Sequence, residues 1–324
     1  MKVLIVHDRV SKTPSKDEED TLLEVEQVSK VLQEKGDIVT SVEFSLNLAD
    51  FGEYIAEFCP DVIFNLVETL EGSRLLYLAP VLFESLHLPY TGGNSQGMFL
   101  SSDKLLAKEL LLGASIPTPR WFSFRKRQKD PLDLEVLVDL PLIAKPISEE
   151  ASVGINDDSI LTFSSSKAIE QFLCTHDFEG LFLEEFIEGR EFNISVLCVE
   201  GEPKVLPPAE IVFDDYPLGK PEIVGYEAKW DADSFAYSHT RRTFDFPLSD
   251  KQLLERLESI TLQCWNLFGA KGYSRVDFRV DRQGNPYVLE VNVNPCISDD
   301  SGFTAACERS GMTYDGMIDR IIQE

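Results

Sequence analysis

The stretch from Arg275 to Pro295 constrains this chain more than any other. Side chains alternate across a strand, so Arg275, Asp277 and Arg279 fall on one face of its first run while Val276, Phe278 and Val280 fall on the other. By the same rule the second run sets Val288, Glu290 and Asn292 on one face and Tyr287, Leu289 and Val291 on the opposite one. Between the runs, Asp281 to Pro286 carries a turn signal that folds them into a hairpin. Any fold that contains this hairpin brings two carboxylates, an amide and an arginine onto one side of a sheet. Asp277, Glu290 and Asn292 then read as oxygen ligands on rigid strands. That set suits Mg²⁺ shared with nucleotide phosphates, an ion that usually binds through one or two carboxylates rather than a closed protein cage. The competing reading, a surface hairpin with solvated charges, leaves an inward-facing Glu and Asn on an apolar strand as unexplained polar burial.

At 324 residues the chain is long enough for two or three packed domains. Lys2 to His7 reads as a buried parallel strand, Glu18 to Lys35 as a helix stopped by Gly36, and Ile38 to Phe44 and Asp61 to Leu66 as further strands. Helical patterns follow at Phe51 to Phe58, Leu75 to Leu86, Lys104 to Leu112, Lys251 to Phe268 and Tyr314 to Ile322, and Leu206 to Pro247 reads as a long connection. The formal charge of −26, from 56 acidic against 30 basic residues, opposes nucleic acid and anionic membranes as partners. Any phosphate must therefore be held by local cations. No apolar run reaches bilayer length and the first residues read as a strand rather than a signal peptide, which predicts a cytoplasmic protein. Six cysteines without C-x-x-C pairs or zinc-finger spacing fit free thiols.

Several segments in order resemble the ATP-grasp superfamily, in its D-alanine:D-alanine ligase-like branch: residues 88–92, 102–105, 140–146, 152–154, 183–192 and 226–229, then the hairpin and 290–295. The resemblance implies an α/β, three-domain ATP-grasp fold. Its expected divisions are an N-terminal α/β domain over 1–95, a central subdomain over 96–178 and a C-terminal catalytic subdomain over 179–324. It implies ATP and Mg²⁺ as cofactors, with two ions expected and Mn²⁺ as a substitute. Lys104 and Lys145 match lysines that reach the nucleotide phosphates, and Lys229 matches one that neutralises the moving γ-phosphoryl group. Glu184, Glu185, Phe186 and Ile187 match the hinge that reads the adenine edge, with Ile143 and Leu289 covering its faces and Glu191 holding the ribose. The reaction implied joins a small-molecule carboxylate donor to an amine acceptor through an acyl phosphate. Arg275 would stabilise the oxyanion and Ser301 the acceptor's carboxylate, although Ser301 reads equally as a helix N-cap. The resemblance also allows a homodimer.

Departures from the family pattern carry information. Glu150 and Ala151 replace a Gly and a Ser in the loop that covers the phosphates, and Trp230 stands where the family has Tyr. The N-terminal Gly-rich loop is replaced by Val6 to Ser11, and Cys296 replaces a Gly near the oxyanion site. His7 and Asp8, at a strand's C-terminal end, are candidates for the donor substrate. These changes predict a donor other than D-alanine. Asp299 and Asp300, just before Ser301, predict a cationic acceptor unless they only cap the following helix. A nucleotide-binding protein that has lost its chemistry, or a true D-alanine:D-alanine ligase, are the alternative readings.

Overall fold

The structure, a computed structural model, describes residues 1–70, 72–123, 134–149, 152–176 and 180–324. Three strands, β1 (Lys2–His7), β2 (Ile38–Glu43) and β3 (Val62–Leu66), make a parallel sheet in the order β2-β1-β3. β1 is a continuous apolar run because both of its faces are covered. Leu4 and Val6 pack with Phe51, Ile55 and Phe83, from the helices Leu48–Phe58 and Leu78–Ser85, while Val3 and Ile5 pack with Val28, Val31 and Leu32 of the helix Lys16–Glu34.

The second sheet is antiparallel, in the order β4-β7-β5-β6, from β4 (Trp121–Phe122), β5 (Pro141–Pro146), β6 (Ile160–Thr162) and β7 (Leu181–Glu185). Leu142, Ala144 and Leu183 bury one face against Ile169 and Leu173 of the helix Ser166–Thr175. Strand alternation therefore turns Ile143, Lys145 and Glu184 to the other face.

The third sheet runs β11-β10-β8-β12-β13, with β9 pairing on β8, and comprises β8 (Gly189–Val199), β9 (Glu202–Val205), β10 (Ala209–Phe213), β11 (Thr240–Thr243), β12 (Tyr273–Asp281) and β13 (Pro286–Asn292). The helix Lys251–Phe268 buries Leu257, Ile260, Cys264 and Phe268 against Ile194, Val276, Phe278 and Val291, in a core continuous with that of the first sheet.

Three features differ from the sequence reading. The connection Leu206–Pro247 is not a plain loop, because β10 and β11 add two strands to the sheet edge and Tyr226–Trp230 and Phe235–His239 are short helices. Their segments are too short and too charged to show a clean period. The helix Ser95–Ser102 was hidden by polar residues; it starts at Asn94, whose side chain accepts from the Gly97 N–H at 2.7 Å. The hairpin alternation fails at one point. Asp277 pairs with Glu290 but Phe278 with Val288, so a β-bulge at Leu289 breaks the register. Val288 joins Val291 in the core, and Leu289 turns to the same cavity as Glu290 and Asn292.

The first and third sheets are joined through Asn294, just past β13. Its Nδ2 donates to the carbonyls of Asn65 at 3.4 Å and Val67 at 3.3 Å, and its Oδ1 accepts from the Tyr273 hydroxyl at 2.9 Å. Gly92 lies against it with φ +84°, and a Cβ there would come within 2.0 Å of Asn294 Oδ1. Gly36 has a similar φ of +88° but open space around it. Gly92→Ala should therefore cost about 2–4 kcal/mol, from backbone strain plus the clash, and Gly36→Ala about 1 kcal/mol, from strain alone. Urea unfolding followed by tryptophan fluorescence will rank the two; equal losses would remove the Asn294 contact from the account.

Candidate active site

A cavity of about 710 Å³ opens between the three sheets. Its floor is the hairpin. Asp277 and Glu290 sit opposite each other across β12 and β13, and Arg275 sits opposite Asn292. Arg275 donates twice to Asp277, Nε to Oδ1 at 2.8 Å and a terminal nitrogen to Oδ2 at 2.9 Å, and Asn193 on β8 donates to Asp277 Oδ1 at 2.8 Å. Burial raises the Asp277 carboxyl, with Arg275 pulling it back. Burial works on Glu290 in the same sense, but Lys104, Arg275 and Lys145 overcome it and hold that carboxyl below its ordinary value. Asn292 Oδ1 accepts from the Asn294 N–H at 2.9 Å, which fixes the amide and leaves a second lone pair. An ionised carboxylate, a second carboxylate and a fixed amide oxygen fit a hard, oxygen-seeking cation.

Above the floor, Lys145 pairs with Glu184 at 2.5 Å, and Lys108 pairs with the same carboxylate. Glu184 is fully buried; burial alone would raise it, yet the two ammonium groups hold it below the usual range. Lys108 also donates to Thr118 Oγ1 at 2.8 Å, which donates on to the Val288 carbonyl at 2.8 Å. Glu184 is therefore the anchor of two lysines rather than an open carboxylate. Glu185 is clamped by Arg120 at 2.7 and 2.9 Å. Arg279 donates to Glu191 at 3.0 Å and to the Ile187 and Glu222 carbonyls at 3.0 and 2.8 Å, with its guanidinium 5.0 Å from the Phe186 ring centre. Burial raises Glu191 against the pull of Arg279. Ile143 and Leu289 face the cavity from different sheets. Among the residues expected from sequence to hold the nucleotide and metal, Lys104 alone does not line the cavity. Its Nζ donates to the Glu149 carbonyl in the loop that follows β5. Glu150 and Ala151, the two departures in that loop, lie outside the described residues.

The far end of the cavity is acidic. Asp8, Asp20, Glu24 and Glu68 all line it, with Lys229 among them and Cys296 beside them. Asp8 Oδ1 accepts from the Glu68 and Thr69 N–H groups, each at 2.9 Å, and Glu24 Oε1 from the Ile297 N–H at 2.6 Å. Burial raises Asp20, Glu24 and Glu68, Glu24 to about 8. His7 is buried, its Nδ1 donates to the Asp8 carbonyl at 2.8 Å, and it does not reach the cavity. Cys296 donates to Asp20 at 3.4 Å and lies 3.2 Å from Ser298 Oγ, and burial drives its thiol well above the ordinary value. An inert thiol fits these facts. Ser301 caps the helix Gly302–Arg309, accepting from the Thr304 N–H at 3.1 Å, and still lines the cavity. Asp300 lines the cavity and Asp299 does not, and both are exposed. Lys229 lies 4.8 Å from the Trp230 ring centre.

Asp20, Glu24, Glu68, Lys108, Asn193 and Arg242 belong to this cavity or its wall and were not singled out from sequence. For Glu24 a signal existed: it interrupts the buried helical stripe that continues through Val28, Val31 and Leu32. Lys108 stands one helical turn after Lys104. The others gave none, because their partners lie far away in sequence.

A central sheet and a catalytic sheet closing on a nucleotide-sized cavity, with a carboxylate hairpin below and lysines above, define an ATP-grasp enzyme. Residues 110–323 match the family described as D-ala D-ala ligase C-terminus. The D-alanine–D-alanine ligase of Nitrosococcus oceani is 31% identical over 242 residues, covering 74% of this chain and 70% of that protein. That of Aquifex aeolicus is 29% identical over 308 residues, covering 95% and 96%. An uncharacterized protein of Sinorhizobium fredii is 28% identical over 261 residues, covering 81% and 73%. In fold, the chain resembles the Bacillus anthracis D-alanine–D-alanine ligase crystallised with ATP, with a TM-score of 0.73 at 23% identity over 100% of this chain and 96% of that one. The chain belongs to the D-alanine–D-alanine ligase family and is an ATP-dependent, amide-forming ligase with the three-domain ATP-grasp fold. No helix among the described residues is long and apolar enough to cross a membrane.

The acidic end makes stability depend on pH. Glu24 holds its proton to about pH 8 in the folded protein, whereas an exposed glutamate loses it near about 4.3. The folded state binds more protons in that window, so the contribution of this group is full below about pH 4 and is lost as pH rises to about 8. The melting temperature should fall between about pH 5.5 and about pH 8.5, and Glu24→Gln should flatten that slope. A slope unchanged in the variant would assign it to other groups.

Proposed function

We propose that the enzyme uses ATP and Mg²⁺ to couple an amino acid or small peptide donor that carries an extra amine to an amine acceptor, and that D-alanine is not its preferred donor. The observation that carries this reading is the charge layout of one cavity, with lysines and the carboxylate hairpin at one end and four carboxylates, three of them raised by burial, at the other. Desolvated carboxylates grouped in this way are stabilised by a cation, and a donor amine supplies one. A protein that only bound nucleotide would have no use for this second compartment.

In this reading Lys145 and Lys104 hold the phosphates, Glu191 holds the ribose, and the chain at Glu185 to Ile187 meets the adenine edge between Ile143 and Leu289. Glu184 holds Lys145 in place. Asp277, Glu290 and Asn292 would hold Mg²⁺, which would supply charge neutralisation at the phosphates. A donor carboxylate oxygen takes the γ-phosphoryl group as ADP leaves, with Lys229 offsetting the charge in transit. The acceptor amine then attacks the carbonyl carbon, and phosphate departs as the amide forms. Arg275 is fixed by its two bonds to Asp277 and keeps further N–H groups for the oxyanion.

Phosphate release from ATP should require a donor and an acceptor together. Glu290→Gln should abolish it with the melting temperature preserved, and wild-type turnover in that variant would refute the metal assignment. Lys145→Ala should weaken ATP binding at least about tenfold, the worth of about 1.4 kcal/mol. An unchanged ATP affinity would take Lys145 out of the site. Among donors, diamino acids should exceed D-alanine in kcat/KM; a D-alanyl-D-alanine rate above that of every other pair would end the proposal for the donor.

A further inference from the structure

β12 turns three charged side chains to the cavity. In the ligase reading Arg275 and Asp277 serve the oxyanion and the metal, and Arg279 is left without a role. Arg279 is only 3% exposed, and its hydrogen bonds reach three separate parts of the chain. Nε donates to the Ile187 carbonyl at 3.0 Å. Nη1 donates both to Glu191 Oε2 at 3.0 Å and to the Glu222 carbonyl at 2.8 Å. Nη2 is buried without an acceptor. A buried guanidinium left in that state adds little to stability, so it is better explained by what it holds in place.

Glu222 opens the segment 222–226, which passes the cavity at Ile223 and Val224 and leads into the helix Tyr226–Trp230, and so to Lys229. The stretch between β5 and β6 holds this segment from the other side. Ser152 Oγ donates to the Val224 carbonyl at 2.8 Å, the Tyr226 N–H donates to the Ile155 carbonyl at 3.0 Å, and Lys220 pairs with Asp157. Gly225 lies so close to Ile155 that a Cβ there would come 2.9 Å from its carbonyl oxygen. The segment therefore bridges the central and third sheets, and Arg279 is its bond to β12. One terminal nitrogen thus supports both the approach to Lys229 and the carboxylate that would hold the ribose. Arg279 takes Oε2 of Glu191, and a carboxylate has further lone pairs for ribose hydroxyls.

We propose that Arg279 is a positioning residue that couples the ribose hydroxyls of the nucleotide, bound at Glu191, to the placement of Lys229, so that the enzyme distinguishes ribonucleotides from deoxyribonucleotides in turnover and not only in binding. This rests on the ligase reading, in which Glu191 meets the ribose and Lys229 the moving phosphoryl group, and deepens it. The test compares ATP with 2′-deoxy-ATP and 3′-deoxy-ATP, each with Mg²⁺. Phosphate release is measured at saturating nucleotide with the fastest pair of amino acids, and amide hydrogen exchange over residues 222–230 with nucleotide alone. In the wild type, loss of a hydroxyl should lower kcat at least about fivefold, the lower end of ordinary coupling between sites, and reduce the protection that ATP gives this segment. Arg279→Met should lower kcat with ATP by a similar factor and remove the further loss on going to the deoxynucleotides, while Arg279→Lys should recover part of the ATP rate. Should Arg279→Met fail to fold, the wild-type comparison can still overturn the proposal, and a smaller loss of the same kind in Arg279→Lys supports it. Deoxynucleotides that raise KM alone, with kcat and protection unchanged, overturn the assignment, as does a kcat loss as large in Arg279→Met as in the wild type. Phosphate release with either of these results defeats this inference alone. Ribose-dependent protection without phosphate release from any pair would defeat the ligase reading and leave the coupling, and a lack of ATP binding would defeat both.

Discussion

The geometry of this enzyme depends on one buried amide. Asn294 donates to two carbonyls at the end of the first sheet and accepts from Tyr273 at the start of the hairpin, while its own backbone N–H fixes Asn292. Each of these groups would be costly to leave unmade in the interior, at roughly 1–3 kcal/mol apiece. One side chain thus couples the acidic end of the cavity, built on the first sheet, to the carboxylates of the hairpin. A shift of either sheet breaks several hydrogen bonds at once, so the two ends keep their spacing.

The central sheet is tied in differently, through charge. Lys108, Glu184 and Lys145 form a buried cation–anion–cation set, and Lys108 reaches through Thr118 to the carbonyl of Val288 in the hairpin. Taking three charges out of water is costly, and a buried pair seldom adds net stability over an apolar replacement. The arrangement makes physical sense as a device for position. It holds a lysine over the carboxylate hairpin, where a flexible surface lysine would have to be ordered anew in each turnover.

The fold and the floor of the site were legible because their signals are local. β1, the helix Lys251–Phe268 and the two hairpin strands follow from periods of two and 3.6 within short windows, and Asp277, Glu290 and Asn292 follow from the same periodicity. What escaped is non-local. The role of Glu184 depends on Lys108, 76 positions earlier in the chain, and the unpaired Nε of Arg242 shows only in three dimensions. The split between Val288 and Leu289 escaped because a bulge leaves no mark that differs from ordinary strand composition. Ser301 was read two ways, and its cap bond is now seen while it still faces the cavity.

The bulge at Leu289 has a bearing on how such a site can change over time. In a regular strand a one-residue insertion or deletion turns every later side chain over, so the positions on both sides of it would rise or fall together. Here the register resets between Val288 and Glu290, and the two sides of that point can vary on separate terms. Lineages can thus remodel the wall at Leu289 while Glu290 and Asn292 stay on their face. A hairpin broken by a bulge therefore need not be inherited as one block.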